Sequence, residues 1–176
     1  MSDEERMLAV KSGDMAAFED LVERWYERAT RYAYALLSDA DAAEEAAQDC
    51  FAALYIKRHQ YDSSLAFENY FKALLRHKCI DMLRAKKRSP ALPALEAEAL
   101  SDESSENRLV NKLFQESLAG VILSMPEAQR DLLIAYAIEG KSYKELAKAF
   151  HLSVAQIKIR LHRIRKQLKQ FKEEWQ

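Results

Sequence analysis

An all-α fold built as two small helical domains is what this sequence predicts, and three observations carry the prediction. Glycine and proline number only three each in 176 residues, so little punctuates the chain. Alanine, leucine, glutamate, lysine and arginine, the strongest helix formers, are abundant, while β-branched runs are few. Apolar residues recur at spacings of three and four over long stretches, interrupted near residue 90 by a segment without that period. At 49% hydrophobic residues, the chain has the apolar material to bury a core.

The first helix runs from Asp14 to Leu37, where Phe18, Leu21, Trp25, Ala29, Tyr32 and Leu36 make one apolar stripe. A second begins near Asp39 or Asp41, either of which can cap free N–H groups, and buries Ala43, Ala47, Phe51 and Leu54. "HQYDSSLAF" breaks the period, with Asp62, Ser63 and Ser64 as turn or cap residues. A third helix covers Phe67 to Lys87 and is ended by Pro90 and Pro93. The stretch 89–107, acidic and serine-rich, reads as a flexible linker between a domain at 1–88 and one at 108–176.

Four helical pieces make up the second domain. Residues 108–123 form the first, with Leu109, Leu113, Leu118 and Ile122 apolar. The next opens on Pro126 as a first-turn proline, passes through Leu132, Leu133 and Tyr136, and stops at Gly140. "SYKELAKAF" is a short third helix, with Ser142 as cap and Glu145 at the capping-box position. "HLS" is a tight turn, and Ser153 caps the last helix.

The formal net charge of -1 conceals a strong asymmetry. Residues 1–88 hold 14 Lys/Arg and 16 Asp/Glu, a net of -2; residues 89–107 hold no Lys/Arg and five acids, a net of -5; residues 108–176 hold 13 Lys/Arg and seven acids, a net of +6. The basic end suits a polyanionic partner. On the last helix, Ile157, Leu161, Ile164 and Leu168 fall on one buried face, which turns Lys158, Ile159, His162, Arg163 and Lys166 outward. A short capped helix, a three-residue turn and a second helix with a basic outer face is the helix-turn-helix pattern, whose second helix enters the DNA major groove. Lys and Arg there reach guanine or phosphates; Gln156 is expected to pair with adenine, and Arg160 to meet a base or phosphate.

Other function classes find little support. No apolar segment reaches membrane-spanning length and "MSDEERMLAV" starts acidic, unlike a signal peptide, so a cytoplasmic protein without membrane insertion is expected. Cys50 and Cys79 sit in helical patterns and read as reduced, buried thiols. His77 and Cys79, two apart on a helix, point in different directions and do not chelate one ion, so no metal or other cofactor is expected. No Gly-rich phosphate loop, Gly-x-Ser-x-Gly or His-Glu-x-x-His occurs, which leaves an enzyme reading without catalytic groups.

The segment "LSMPEAQRDLLIAYAIEGKSYKELAKAFHLSVAQIKIRLHRIRKQL" resembles region four of bacterial sigma-70-family factors, the part that binds the minus-thirty-five promoter element. "DAAEEAAQDCFAALY" resembles region 2.2, and "FENYFKALLRHKCIDMLRAKKR" resembles regions 2.3 and 2.4. Regions two and four joined by a short linker are similar to the extracytoplasmic-function (ECF) group. The resemblance implies a transcription initiation factor whose partners are promoter DNA and RNA polymerase core, through the β′ clamp coiled coil and the β subunit. An anti-sigma factor is a further implied partner.

By the same resemblance, Glu45, Gln48, Asp49 and Phe51 stand where the family has polymerase-docking residues. An acidic patch at Glu44, Glu45, Gln48 and Asp49 is repelled by DNA and so suits a protein surface. Opening DNA requires rings that stack on unpaired bases and cations that follow phosphates, and the candidates are Tyr61, Tyr70, Lys72, Arg76, His77 and Arg84. Phe67, Phe71, Leu74 and Leu75 have the spacing of core residues instead. Tyr70 replaces a family tryptophan, Arg76, Asp81 and Arg84 match family residues, and His77 replaces the usual asparagine. Histidine cannot copy both halves of an amide. Gln156 likewise stands where the family often has threonine. In the linker, Glu96, Glu98, Asp102, Glu103 and Glu106 suit a nucleic-acid mimic in a basic channel or a plain solvated tether. The competing class is a conventional helix-turn-helix regulator, which binds duplex DNA without polymerase and needs neither the acidic face nor the aromatic and basic third helix.

Overall fold

The computed structural model describes residues 1–88, 115 and 117–175, and the chain divides into two compact units, Met1–Arg88 and Ser89–Gln176. All regular structure among the described residues is helical, as composition and periodicity require. The expected linker at 89–107 and half of the helix expected at 108–123 lie outside the described residues.

The first unit begins with a helix that the sequence reading did not anticipate, α1 (Asp3–Lys11). Ser2 and Glu5 cap it reciprocally, Glu5 N donating to Ser2 Oγ at 3.1 Å and Ser2 N to Glu5 Oε2 at 2.6 Å. Only Met7 and Val10 turn fully inward from it. Gly13, at φ +96°, makes the left-handed turn that closes α1 and that a side chain at Cβ would strain.

Asp14 then caps α2 (Met15–Leu37), and Asp39, rather than Asp41, caps α3 (Ala40–Ile56) with its Oδ1 3.0 Å from Ala42 N. The buried line of α2 is Ala17, Leu21, Trp25, Ala29, Tyr32 and Ala33, so Phe18 and Leu36 from the expected stripe are half-buried. Ala43, Ala46 and Ala47 are fully buried on α3, small enough to let α2 and α3 pack closely. A single 3-10 turn at Arg58–Gln60 and a loop lead to α4 (Phe67–Arg88).

Four rings from three helices fill the centre of this unit. Trp25 meets Phe67 and Phe71 at centroid distances of 5.5 Å each, Phe51 meets Phe71 at 5.0 Å, and Phe67 meets Phe71 at 5.6 Å. Each ring removes a large apolar area from water, and the tilted and edge contacts add to that. The core reading of Phe67, Phe71 and Leu75 holds, while Leu74 is half-buried.

The described part of the second unit comprises α5, helical over residues 117–124, α6 (Glu127–Ala137), α7 (Tyr143–Ala149) and α8 (Val154–Trp175). Its core gathers Met125, Leu132, Ala135, Leu146, Ile157, Leu161 and Ile164, with Val121, Tyr136, Phe150 and Leu168 packed around them. Among the described residues no helix is long and apolar enough to cross a membrane.

Cys50 and Cys79 are free and buried, and burial pushes each thiol up to about 12. A protonated thiol is a poor nucleophile. At pH 8 the native chain is therefore expected to leave both cysteines unreacted with a thiol-exchange reagent such as DTNB on the minute scale, and to release both on unfolding in guanidinium; rapid labelling of the native chain would contradict the packing of α3 against α4.

Candidate nucleic-acid interface

The basic face of the second unit is positioned by how its helices begin. Ser142 and Glu145 form the expected box at the start of α7, with Ser142 N donating to Glu145 Oε2 at 2.7 Å and Glu145 N to Ser142 Oγ at 3.3 Å. The turn places His151 at φ +52°, and Leu152 N donates to Ala147 O at 3.0 Å. The start of α8 repeats the device, since Gln156 N donates to Ser153 Oγ at 3.1 Å and Ser153 N to Gln156 Oε1 at 2.9 Å. Pro126 sits immediately before α6 rather than inside its first turn, and α6 ends at Ala137 ahead of Gly140, whose φ is +66°.

With Ile157, Leu161 and Ile164 buried, the opposite side of α8 exposes Lys158, Ile159, Arg160, His162, Arg163 and Lys166. Ile159, 52% exposed, is an apolar residue inside a cationic stripe. Gln156 is exposed too, but its amide oxygen is engaged by the backbone of Ser153, so the amide group presented to solvent is its N–H₂. The expected two-point pairing with adenine needs both halves of the amide and is at odds with this capping bond.

Behind the stripe lies a brace that the sequence reading missed. The rings of Tyr136 on α6 and Tyr143 on α7 stack at 5.8 Å, and Arg165 of α8 lies 4.9 Å over Tyr136 while donating to the Tyr143 hydroxyl at 3.5 Å. That hydrogen bond holds the Tyr143 phenol below its ordinary value of 10.0. The Lys158 ammonium stands 5.9 Å from the centre of the Tyr143 ring.

The first unit distributes its candidates unevenly. His77 and Arg84 on α4 are exposed, Arg84 pairing with Asp81 at 3.3 Å. Tyr70, Lys72 and Arg76 are half-buried, and Lys72 pairs with Glu68 at 2.6 Å. Tyr61 departs from the expectation of an available stacking ring. It is 1% exposed, packs edge-on against Tyr70 at 5.1 Å and Phe67 at 6.4 Å, and donates its hydroxyl to Leu65 O at 2.8 Å. The turn residues after it mark a loop, but the bond to Leu65 and the two rings of α4 draw the Tyr61 ring inward.

On α3, Glu44, Glu45 and Gln48 are exposed and form the expected acidic face. Asp49 is half-buried and accepts from Lys78 Nζ of α4 at 2.5 Å, a bond that raises the Lys78 ammonium above its ordinary value. Phe51 is in the core against Phe71, so its ring supports the acidic face from beneath rather than lying on it. Among the described residues no three His, Cys, Asp or Glu side chains gather as a metal site.

Residues 21–89 match the family model Sigma-70 region 2, and residues 115–168 match Sigma-70, region 4. The chain belongs to the sigma-70 family. Its relatives include ECF factors: the chain is 27% identical over 178 residues to the ECF RNA polymerase sigma factor SigW of Bacillus subtilis, covering 93% of this chain and 95% of that one. It is 27% identical over 164 residues to the ECF RNA polymerase sigma factor SigF of Caulobacter vibrioides, covering 92% and 89%. Its fold is similar to that of CnrH, solved in complex with the cytosolic domain of CnrY, with a TM-score of 0.59 at 20% identity over 98% of this chain and 97% of that one.

In this sigma-70-family chain the orientation of α7 rests partly on Glu145, whose carboxyl is held below its ordinary 4.5 chiefly by the Ser142 N–H. A depressed carboxyl contributes stability that is present above its unfolded value and lost as pH falls through the folded one. Glu145→Ala is expected to lower the melting temperature at pH 7 and to make little difference near pH 3, a convergence that thermal unfolding followed by circular dichroism would reveal.

Proposed function

We propose that this ECF sigma factor binds RNA polymerase core through the acidic face of α3, recognises the minus-thirty-five element with α8, and captures the separated minus-ten strand along α4. The observation that carries the reading is the occurrence of both sigma regions, in order, on a chain whose α8 presents a continuous cationic face. Lys158, Ile159, His162 and Arg163 are the proposed base-reading set, with Arg160 and Lys166 toward phosphates and Gln156 contributing N–H donors. Ile159 suits a thymine methyl. Tyr70, Lys72, Arg76, His77 and Arg84 are the proposed minus-ten set; Tyr61 acts from beneath it.

Glu45, Gln48 and Asp49 are the proposed contacts to the β′ clamp coiled coil, with Phe51 as their support and the β subunit as a second polymerase surface. An anti-sigma factor is proposed as a regulatory partner, a reading supported by the similar CnrH having been solved with the cytosolic domain of CnrY. The protein works in the cytoplasm, contributes no catalytic group of its own and needs no cofactor. The conventional-regulator reading is not favoured, because such a protein has no use for a region 2 domain.

The direct test is transcription from the promoter of the protein's own operon by purified core polymerase, with and without the chain. Specific initiation that depends on the chain is expected; its absence, together with no co-elution with core, would sink the reading.

Two substitutions separate the surfaces. Arg163→Ala is expected to weaken promoter binding and to reduce the slope of log affinity against log salt by about one if Arg163 meets a phosphate; if it reads a base, the loss is about 1–3 kcal/mol at one promoter position instead. Asp49→Lys reverses charge on the proposed docking face and places a second ammonium beside Lys78. It is expected to weaken co-elution with core while leaving duplex binding through α8 intact.

A further inference from the structure

α4 starts without a cap of its own. Residue 66, where Ser, Thr, Asp or Asn would accept a backbone N–H, is alanine. Its carbonyl takes Asn69 N at 3.1 Å and Tyr70 N at 3.2 Å, as the residue before a helix does, but its methyl accepts nothing. An acceptor for the first N–H of the helix comes instead from α1: Phe67 N donates to Glu4 Oε1 at 3.0 Å, across a separation of 63 residues. A carboxylate there also meets the positive end of the helix dipole, and the Glu4 carboxyl is held below its ordinary 4.5 chiefly by this bond.

The same short helix secures the other end of the loop. Lys11 Nζ donates to Tyr61 O at 3.0 Å, two helical turns or about 10 Å from Glu4. Between these points Tyr61 bonds Leu65 O at 2.8 Å and Asp62 Oδ1 accepts from Ser64 N at 2.9 Å, which leaves Leu65, Asn69 and the half-buried Tyr70 facing outward. α1 is itself tied to α2, since Asp3 accepts from Trp25 Nε1 and Arg24 Nε at 3.0 Å each and Arg6 pairs with Asp20.

We propose that Glu4 and Lys11 are positioning residues for promoter melting: α1 holds loop 61–66 and the first turn of α4 in the arrangement that receives the separated DNA strand. The inference rests on the reading of α4 as the strand-capturing helix. A loop already ordered costs less backbone entropy when DNA is captured than one that must be ordered at that moment.

The test uses the full-length chain with core polymerase and a promoter on which the wild type initiates, and compares Glu4→Ala, Glu4→Gln, Lys11→Met and the double variant Glu4→Ala/Ala66→Asp. Three quantities are read: co-elution with core, affinity for duplex minus-thirty-five DNA, and the rate of open-complex formation followed by permanganate reactivity of unpaired thymines. Glu4→Ala is expected to slow opening about fivefold, the equivalent of one lost cap, with the other two quantities unchanged; Lys11→Met is expected to act in the same direction. Glu4→Gln, whose amide oxygen still accepts from Phe67 N, should retain most of the rate. Ala66→Asp should restore part of the opening to Glu4→Ala, since an aspartate there accepts from the next free N–H groups and steadies the first turn of α4 without α1. Opening at the wild-type rate by Glu4→Ala, failure of the local cap to rescue it, or an equal fall in core binding would overturn the proposal. A wild-type chain that yields no initiation at all would instead overturn the functional reading beneath it.

Discussion

The first unit depends on the contact among Trp25, Phe51, Phe67 and Phe71. These rings come from α2, α3 and α4, and once they meet, the rotation of each helix about its axis is settled. Phe51 and Ala47 inward on α3 mean Glu44, Glu45 and Gln48 outward; Phe71, Leu75 and Cys79 inward on α4 mean His77 and Arg84 outward. Two surfaces of opposite chemistry, one suited to a basic protein and one to nucleic acid, thus follow from one hydrophobic constraint. Where the helices adjoin, Asp49 and Lys78 face each other as an ion pair. A pair that water still reaches contributes little stability, but it neutralises the boundary between the two faces.

The second unit solves a different problem with different means. Its described core is aliphatic and small, and α7 has only seven residues, too few to be stable as an isolated helix. Capping at both helix starts and the brace of Tyr136, Tyr143 and Arg165 supply what the core cannot. The brace also explains why one arginine of the basic helix is turned toward its own domain while its neighbours face solvent.

Much of this was legible in the sequence because it is encoded locally. Caps at Asp39, Ser142 and Ser153, the buried lines of α3 and α8, and the acidic and basic faces all follow from residues within a turn or two of each other. α1 was missed because it is short, opens with three acids and buries only Met7 and Val10; the reciprocal box of Ser2 and Glu5 was its one readable sign. The burial of Tyr61 was not readable, since turn-forming neighbours say where a loop is and nothing about which side chain a distant helix will cover. Gln156 is the opposite case. Its position three residues after Ser153 is a capping-box spacing visible in the sequence, and the amide oxygen that a base would need is the one the Ser153 N–H takes. The cap that Glu4 provides to α4 is legible only in three dimensions, although Ala66 in a cap position is a hint that the acceptor comes from elsewhere.

The reciprocal boxes that start α7 and α8 have a consequence for divergence. They fix where α8 begins, and Ile157, Leu161 and Ile164 fix how it is turned, without using the outward positions 158, 159, 162 and 163. Most substitutions at such exposed positions change stability by no more than about 0.5 kcal/mol. On the proposed reading of α8, duplicated copies of a gene with this arrangement can therefore drift apart in promoter preference one side chain at a time, with every intermediate still folded and still presenting the same helix.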